Sequence, residues 1–243
     1  MQTLNIYVRQ DLKMRKGKMA AQSAHAAMKL LFEVMKKTQN EMILDVEQKS
    51  QLDRFFEDND IKIHMVQDEN ALNNILDKNL PYSIIVDSGR TEFHGVPTVT
   101  CAAQGIFNNC SIEEMIVPNA YGKDIKAKQV FVFNKDFPLS KETTCELSVL
   151  TCLQLMYSKM KDGEHGKYFD LNEQGPFLDW ITNAFGKIAL STQTLEQLEL
   201  VEQQLITNDI KYIKNKLGNN TCLCIEPCYP TNIDSITGNL SLI

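Results

Sequence analysis

The feature that most constrains this chain is an internal repeat. The run Leu4-Asn5-Ile6-Tyr7-Val8-Arg9 reads as a strand, and Gln10-Asp11-Leu12-Lys13-Met14 as the turn after it. The same pattern returns as Gln129-Val130-Phe131-Val132-Phe133-Asn134 and Lys135-Asp136-Phe137-Pro138-Leu139, with Asp11 on Asp136, Met14 on Leu139 and Lys16 on Lys141, a shift of 125 residues. Helical patterns follow both turns, over 18–37 and 143–161. Lys62-Ile63 then matches Lys187-Ile188, and helices are expected over 69–78 and 195–205. Further on, Thr100-Cys101-Ala102-Ala103 lines up with Thr221-Cys222-Leu223-Cys224, and Ile112–Ile116 with Ile233–Thr237, the shift now 121. The second copy has therefore lost residues, and the loss falls between Tyr212 and Thr221.

Each copy reads strand, helix, strand, helix, strand, strand. That alternation predicts an α/β fold: two tandem three-layer α/β/α domains, each with a small mixed sheet of about four strands. The expected boundaries are residues 1–122 and 123–243, with the polar run Tyr121-Gly122-Lys123-Asp124-Ile125-Lys126 as the link. Asp162-Gly163-Glu164-His165-Gly166-Lys167 is expected to be a surface loop. With 43% hydrophobic and 23% charged residues the composition is that of a globular protein, not a disordered or fibrous one. No apolar run reaches the length of a membrane span, and the first residues do not read as a signal peptide. The seven cysteines, an odd number set mostly in apolar contexts, predict a reduced, cytoplasmic protein. The net charge of −6 argues against nonspecific coating of nucleic acid but leaves room for a local basic patch.

Such a patch opens the first copy. Arg9, Lys13, Arg15, Lys16 and Lys18 face only Asp11, although residues 1–120 as a whole hold 13 Lys and Arg against 16 Asp and Glu. Two readings fit it: a solvated turn, or a phosphate contact beside a helix N-terminus, with Gly17 giving a tight backbone before the helix. In the helix that follows, Lys18, Gln22 and His25 share one face among small residues. They line a shallow cleft or form an ordinary polar face, and His25 alone fits a hydrogen-bonded packing residue. Downstream, Leu80-Pro81-Tyr82-Ser83-Ile84-Ile85-Val86 is a buried strand ending in Asp87-Ser88-Gly89-Arg90-Thr91. Strand ends of this kind are where α/β folds place ligands. Asp87 serves there as a base or water-orienting group, Arg90 as a phosphate ligand or ion-pair partner, and Thr91 as a donor. The structural alternative is an Asx turn closed by a salt bridge.

Taken together, the run from Asp11 to Ala27, with Gly17, Lys18, Ala21, Gln22, His25 and Ala26 at its characteristic places, and Asp87-Ser88-Gly89-Arg90-Thr91 resemble the signature of type II peptidyl-tRNA hydrolases, the archaeal and eukaryotic class. Ser88 departs from that pattern, where alanine is usual. The resemblance covers residues 4 to about 118 and extends weakly over the second copy. It implies hydrolysis of the ester joining a peptide, or an N-blocked amino acid, to the 3′ ribose of tRNA, with tRNA as partner and no metal or organic cofactor. Lys18, Gln22, Asp87 and Thr91 are then the implied catalytic group. Lys13, Arg15, Lys16 and Arg90 are implied tRNA contacts, and Gly17, His25 and Gly89 structural residues beside the site. The other function class compatible with these motifs is a non-catalytic module that binds a tRNA end or a protein partner.

The second copy lacks this equipment. Glu142 replaces Gly17, Thr143 replaces Lys18, Leu147 replaces Gln22 and Leu150 replaces His25, while the Asp-Ser-Gly-Arg-Thr segment falls in the deletion. This copy is expected to be catalytically inactive: decayed into ordinary packing, or kept as the equivalent of a second subunit in an intramolecular pseudo-dimer or as a binding surface. Its 12 Lys and Arg against 15 Asp and Glu give no support for RNA binding. Cys222, Cys224 and Cys228 have no fourth ligand nearby in sequence and are expected to be buried thiols, not a zinc site.

Overall fold

A computed structural model describes residues 2–108, 127–182 and 185–243. The first repeat runs β1 (Leu4–Arg9), α1 (Lys16–Val34), β2 (Lys36–Lys37), β3 (Glu41–Asp45), α2 (Val46–Asp58), β4 (Ile61–Val66), α3 (Glu69–Ile75), β5 (Tyr82–Asp87) and β6 (Thr98–Gln104). The second runs β7 (Lys128–Asn134), α4 (Lys141–Lys159), β8 (Lys161–Gly163), β9 (Gly166–Asp170), α5 (Pro176–Thr182), β10 (Lys187–Thr192), α6 (Leu195–Thr207), β11 (Tyr212–Leu217) and β12 (Asn220–Cys228). It closes with α7 (Pro230–Thr237) and β13 (Ser241–Leu242). The expected link at 121–126 and the match at 112–116 lie outside the described residues. No described helix is long and apolar enough to cross a membrane.

The two main sheets repeat each other. Their strand orders, β4-β1-β6-β5 and β10-β7-β12-β11, are the same when strands are matched through the repeat, each with one parallel and two antiparallel neighbours. The antiparallel centre keeps even its register: Val8 stands opposite Cys101, and their matches Phe133 and Cys222 stand opposite each other. The parallel pair is offset by one residue, with Lys62 beside Asn5 but Lys187 beside Gln129.

Three features depart from the expected outline. The second sheet has five strands, because β13 adds to the edge of β10. A further four-stranded sheet, β2-β3-β9-β8, is built from two short hairpins. Residues 162–167 belong to one of them: they are exposed from Asp162 to His165, as a surface segment should be, but form the β8–β9 hairpin, with Glu164 and His165 as its turn. Strands of two to five residues carry too few alternations to register as a pattern. The helices α2 and α5 were likewise not anticipated. For α2 a signal was present, since Asp45 accepts from the Gln48 backbone N–H while the Gln48 side chain accepts from the Asp45 N–H, a complete capping box.

The chain forms two compact units that do not coincide with the two repeats. One comprises Met1–Met14, Gln22–Ile116 and Met156–Asn172, the other Arg15–Ala21, Val117–Leu155 and Glu173–Ile243. In the first unit, α1 from Gln22 onward lies on one face of the β4-β1-β6-β5 sheet. Its buried Ala24, Ala26 and Ala27 leave room for contact at backbone distance, seen where the Ser83 hydroxyl donates to the Ala26 carbonyl at 2.7 Å. On the opposite face, Leu72 of α3 and Leu76 just after it pack onto Tyr7, Val66 and Ala102. The hairpin sheet belongs to the same unit. Phe169 of β9 meets Phe32 of α1 edge-on at 5.7 Å, and the Tyr157 hydroxyl donates to Asp53, which also pairs with Lys49 at 2.6 Å.

The second unit is built the same way. On one sheet face Cys152 of α4 donates to the Gln129 side chain at 3.5 Å. On the other, α6 and α7 bury Leu198, Val201, Leu205 and Ile233 against Val130, Val132, Leu223 and Ile225. Trp180 is fully buried and donates to the Gly186 carbonyl, and the Lys187 ammonium sits 4.1 Å from its ring centroid. Burial in this setting lowers Lys187 to about 8. All six described cysteines are buried free thiols, Cys222, Cys224 and Cys228 among them. Among the described residues no group of three His, Cys, Asp or Glu is placed to hold a metal ion.

Candidate active site

Two segments far apart in sequence meet on the α1 face of the first sheet. Asp87 is the last residue of β5, half-buried where the strand runs out into residues 88–97. Gln22, on α1, is 4% exposed. Its amide nitrogen donates to Asp87 Oδ2 at 2.6 Å, while the backbone N–H of Gly89 donates to Oδ1 at 2.8 Å. The second bond is the Asx turn anticipated from the sequence, and it coexists with the contact to the helix. Held from two sides, the carboxylate has a fixed plane. A carboxylate offers about four acceptor sites, so these two donors alone do not exhaust it.

The turn behind Asp87 depends on one glycine. Gly89 has φ +79°, in the left-handed region, and a Cβ there would lie 2.4 Å from the Val96 carbonyl oxygen. That close approach folds residues 88–97 back on themselves, with the N–H groups of Phe93 and Gly95 both donating to the Gly89 carbonyl. Arg90 and Thr91 stand exposed on this loop, Thr91 four residues beyond Asp87.

The other expected residues cluster at the start of α1. Lys13 is exposed, with φ +50°, and its N–H closes the turn onto the Gln10 carbonyl. Arg15 is exposed. The Lys16 ammonium donates to the Leu139 carbonyl at 2.5 Å, so it is engaged by the protein's own backbone. Lys18 is half-buried one turn before Gln22 on the same helix, a spacing that puts both side chains on one helical face, and His25 is half-buried one turn after it. Gly17 turns out to lie inside the helix, not before it. It is needed for space: a Cβ would stand 2.8 Å from the Ile243 carbonyl oxygen, to which the Gly17 N–H donates at 3.2 Å.

Two further residues of the site were not singled out from sequence. The Thr100 hydroxyl, fully buried on β6, donates to the Gln22 side-chain oxygen at 3.2 Å. The neighbouring Cys101 thiol donates to the Gln22 backbone carbonyl at 3.0 Å. Both lie in a run that reads simply as a buried strand.

The second repeat has a different surface at the matched places. Leu147, at the position of Gln22, is 1% exposed. The strands matching β5 and β6 are joined by Gly218 and Asn219 alone, where the first repeat has residues 88–97. The missing segment thus leaves a tight hairpin, with no strand-end loop on which an Asp87 equivalent could sit.

Comparison with known proteins finds the same family twice along the chain. A family model described as "Peptidyl-tRNA hydrolase PTH2" matches residues 2–116 and again 127–243. A peptidyl-tRNA hydrolase of Saccharolobus islandicus (strain L.S.2.15 / Lassen #1) is 36% identical over 107 residues, covering 41% of this chain and 82% of the relative. One from Sulfolobus acidocaldarius is 37% identical over 105 residues with the same coverage, and one from Saccharolobus solfataricus 35% over 107.

Proposed function

The chain belongs to the peptidyl-tRNA hydrolase family, whose members are ester hydrolases, and we propose that its first repeat cleaves the ester between a peptide, or an N-blocked amino acid, and the 3′ ribose of tRNA. The observation that carries this reading is the Gln22–Asp87 hydrogen bond. It joins the two motif segments at the end of a sheet strand, beside a loop open to solvent.

Ester hydrolysis needs an aligned water, removal of its proton, and stabilisation of the oxyanion that forms on the carbonyl. Asp87, oriented by Gln22 and Gly89, is the group that aligns and deprotonates the water. Lys18 supplies positive charge for the oxyanion or for the terminal phosphate of the tRNA, and Thr91 positions the carbonyl. Lys13, Arg15 and Arg90, all exposed, are suited to phosphate contacts that position the RNA. Lys16, bonded to Leu139, contributes there by exchanging that contact for a phosphate. His25 and Gly17 act structurally.

In this reading the functional division follows the repeats, 1–122 and 123–243. The second repeat carries no turnover and serves as the intramolecular counterpart of a second subunit. The protein acts in translation, in the cytoplasm.

The test is release of N-acetylaminoacyl groups from tRNA by the full chain and by its Lys18→Ala and Asp87→Ala variants. Turnover by the parent alone supports the reading and places the activity in the first repeat. Residual parental activity in both variants would move it elsewhere, and binding without turnover by the parent would favour a tRNA-end binding module.

A further inference from the structure

The register of β5 against β6 slips at the site: Ile85 pairs with Cys101 but Val86 pairs with Val99, so Thr100 is an extra residue with no opposite number. The slip decides where Thr100 points. Val99 and Ala102 both face α3, on the far side of the sheet, and Cys101 faces α1. In a regular strand Thr100 would share the face of Ala102. The bulge turns it over, so that Thr100 and Cys101 both address Gln22. The pairing of β1 with β6 also stops at Cys101, and Arg9 instead donates through its guanidinium to the Val99 carbonyl at 2.8 Å.

We infer that the β6 bulge makes Thr100 a positioning residue, its hydroxyl holding the Gln22 amide in the one flip that aims the NH2 group at Asp87. A glutamine amide has a donor end and an acceptor end. The Asp87 carboxylate accepts from the NH2 group at 2.6 Å, which turns the Gln22 oxygen toward the interior, where Thr100 supplies the donor. The hydroxyl also lies 3.3 Å from the Ile85 carbonyl, the longer of its two contacts.

The second repeat carries the internal comparison. Thr221 occupies the matched position, yet β11 and β12 pair without a slip from Leu217–Asn220 to Tyr212–Ile225. Thr221 stands opposite Lys216, and its N–H donates to the Asn134 side chain at 2.6 Å. There the glutamine is Leu147 and nothing needs orienting. The threonine is present in both copies, whereas the bulge at this position accompanies only the copy that has Gln22 and Asp87.

The inference rests on the proposed hydrolysis for its kinetic arm only. Thr100→Val keeps the shape and removes the donor, while Thr100→Ser keeps the donor. In the full chain with N-acetylaminoacyl-tRNA, Thr100→Val is expected to lower kcat by about 10- to 100-fold with KM unchanged, and Thr100→Ser to restore it. The second readout is the side-chain NH2 resonance pair of Gln22 in 15N-labelled protein, assigned by its loss in Gln22→Leu. It should move in Thr100→Val and stay at its parental position in Thr100→Ser. Parental kcat in Thr100→Val, or an unmoved Gln22 pair, overturns the inference. If the parent itself does not hydrolyse the substrate, the functional reading fails while the resonance comparison still decides the role of Thr100. Should Thr100→Val not fold, Thr100→Cys, with a weaker donor, takes its place under the same criteria.

Discussion

Gln22 and Asp87, 65 residues apart in the chain, share a 2.6 Å hydrogen bond from the helix amide to the strand-end carboxylate. Replacing Asp87 by Ala removes the candidate base and is expected to slow N-acetylaminoacyl-tRNA hydrolysis by on the order of 100- to 10,000-fold. Gln22→Leu, which installs the residue found at the matched position of the second repeat, removes the helix-side donor that orients Asp87 and should cost about 100-fold. Single-turnover kinetics on both variants check this, and near-parental rates in either would remove that residue from the mechanism.

Gly89→Ala places a side chain at φ +79° and 2.4 Å from a backbone oxygen. The left-handed conformation alone costs about 1–2 kcal/mol, and the clash adds to it. Because the Gly89 N–H is one of the two donors holding Asp87, the variant should lose activity beyond its loss of stability. Parallel denaturant titration and kinetics separate the two effects.

In a helix, exchanging Gly for Ala ordinarily stabilises, by up to roughly 1 kcal/mol in the interior and less in the first turn, where Gly17 stands. At Gly17 the sign should reverse, since the new Cβ meets the Ile243 carbonyl oxygen at 2.8 Å and its side chain at 2.9 Å. Thermal unfolding of Gly17→Ala tests this, and a raised midpoint would mean that the Ile243 contact gives way at little cost.

Tyr157 is pushed up to about 12, first by burial and then by its bond to Asp53. A phenol whose folded value lies above its unfolded one, near 10, contributes stability that is fully present below pH ~10. That stability is lost as pH rises through 12. Tyr157→Phe should therefore lower stability at neutral pH by about 0.5–1.5 kcal/mol, the part-exposed bond being screened by solvent, and flatten its decline above pH 10. A residual slope is expected from Tyr212, which burial and Glu202 also raise to about 12. Urea unfolding between pH 7 and 11 follows both.

Much of this architecture is written in local pattern. The apolar runs around Ile6 and Phe131, and the helices after them, carry their periodicity openly. So does the shortening between Tyr212 and Thr221, which proves to be the exchange of residues 88–97 for Gly218 and Asn219. The hairpins β2–β3 and β8–β9 are not legible in the same way. Each is only a few residues long, and its stability comes from pairing with another hairpin more than a hundred residues away.

Residue types and their order along the chain by themselves determined the duplication, the α/β class and the family signature, because these depend on periodicities and on side-chain chemistry at fixed spacing. Only tertiary structure decided that compact units cut across the repeats, that Lys16 is engaged by the Leu139 carbonyl, and that Thr100 faces Gln22. Alternation along β6 puts Thr100 on the other side of the sheet. A one-residue slip in pairing overrides that alternation, and such a slip exists only once two strands have met.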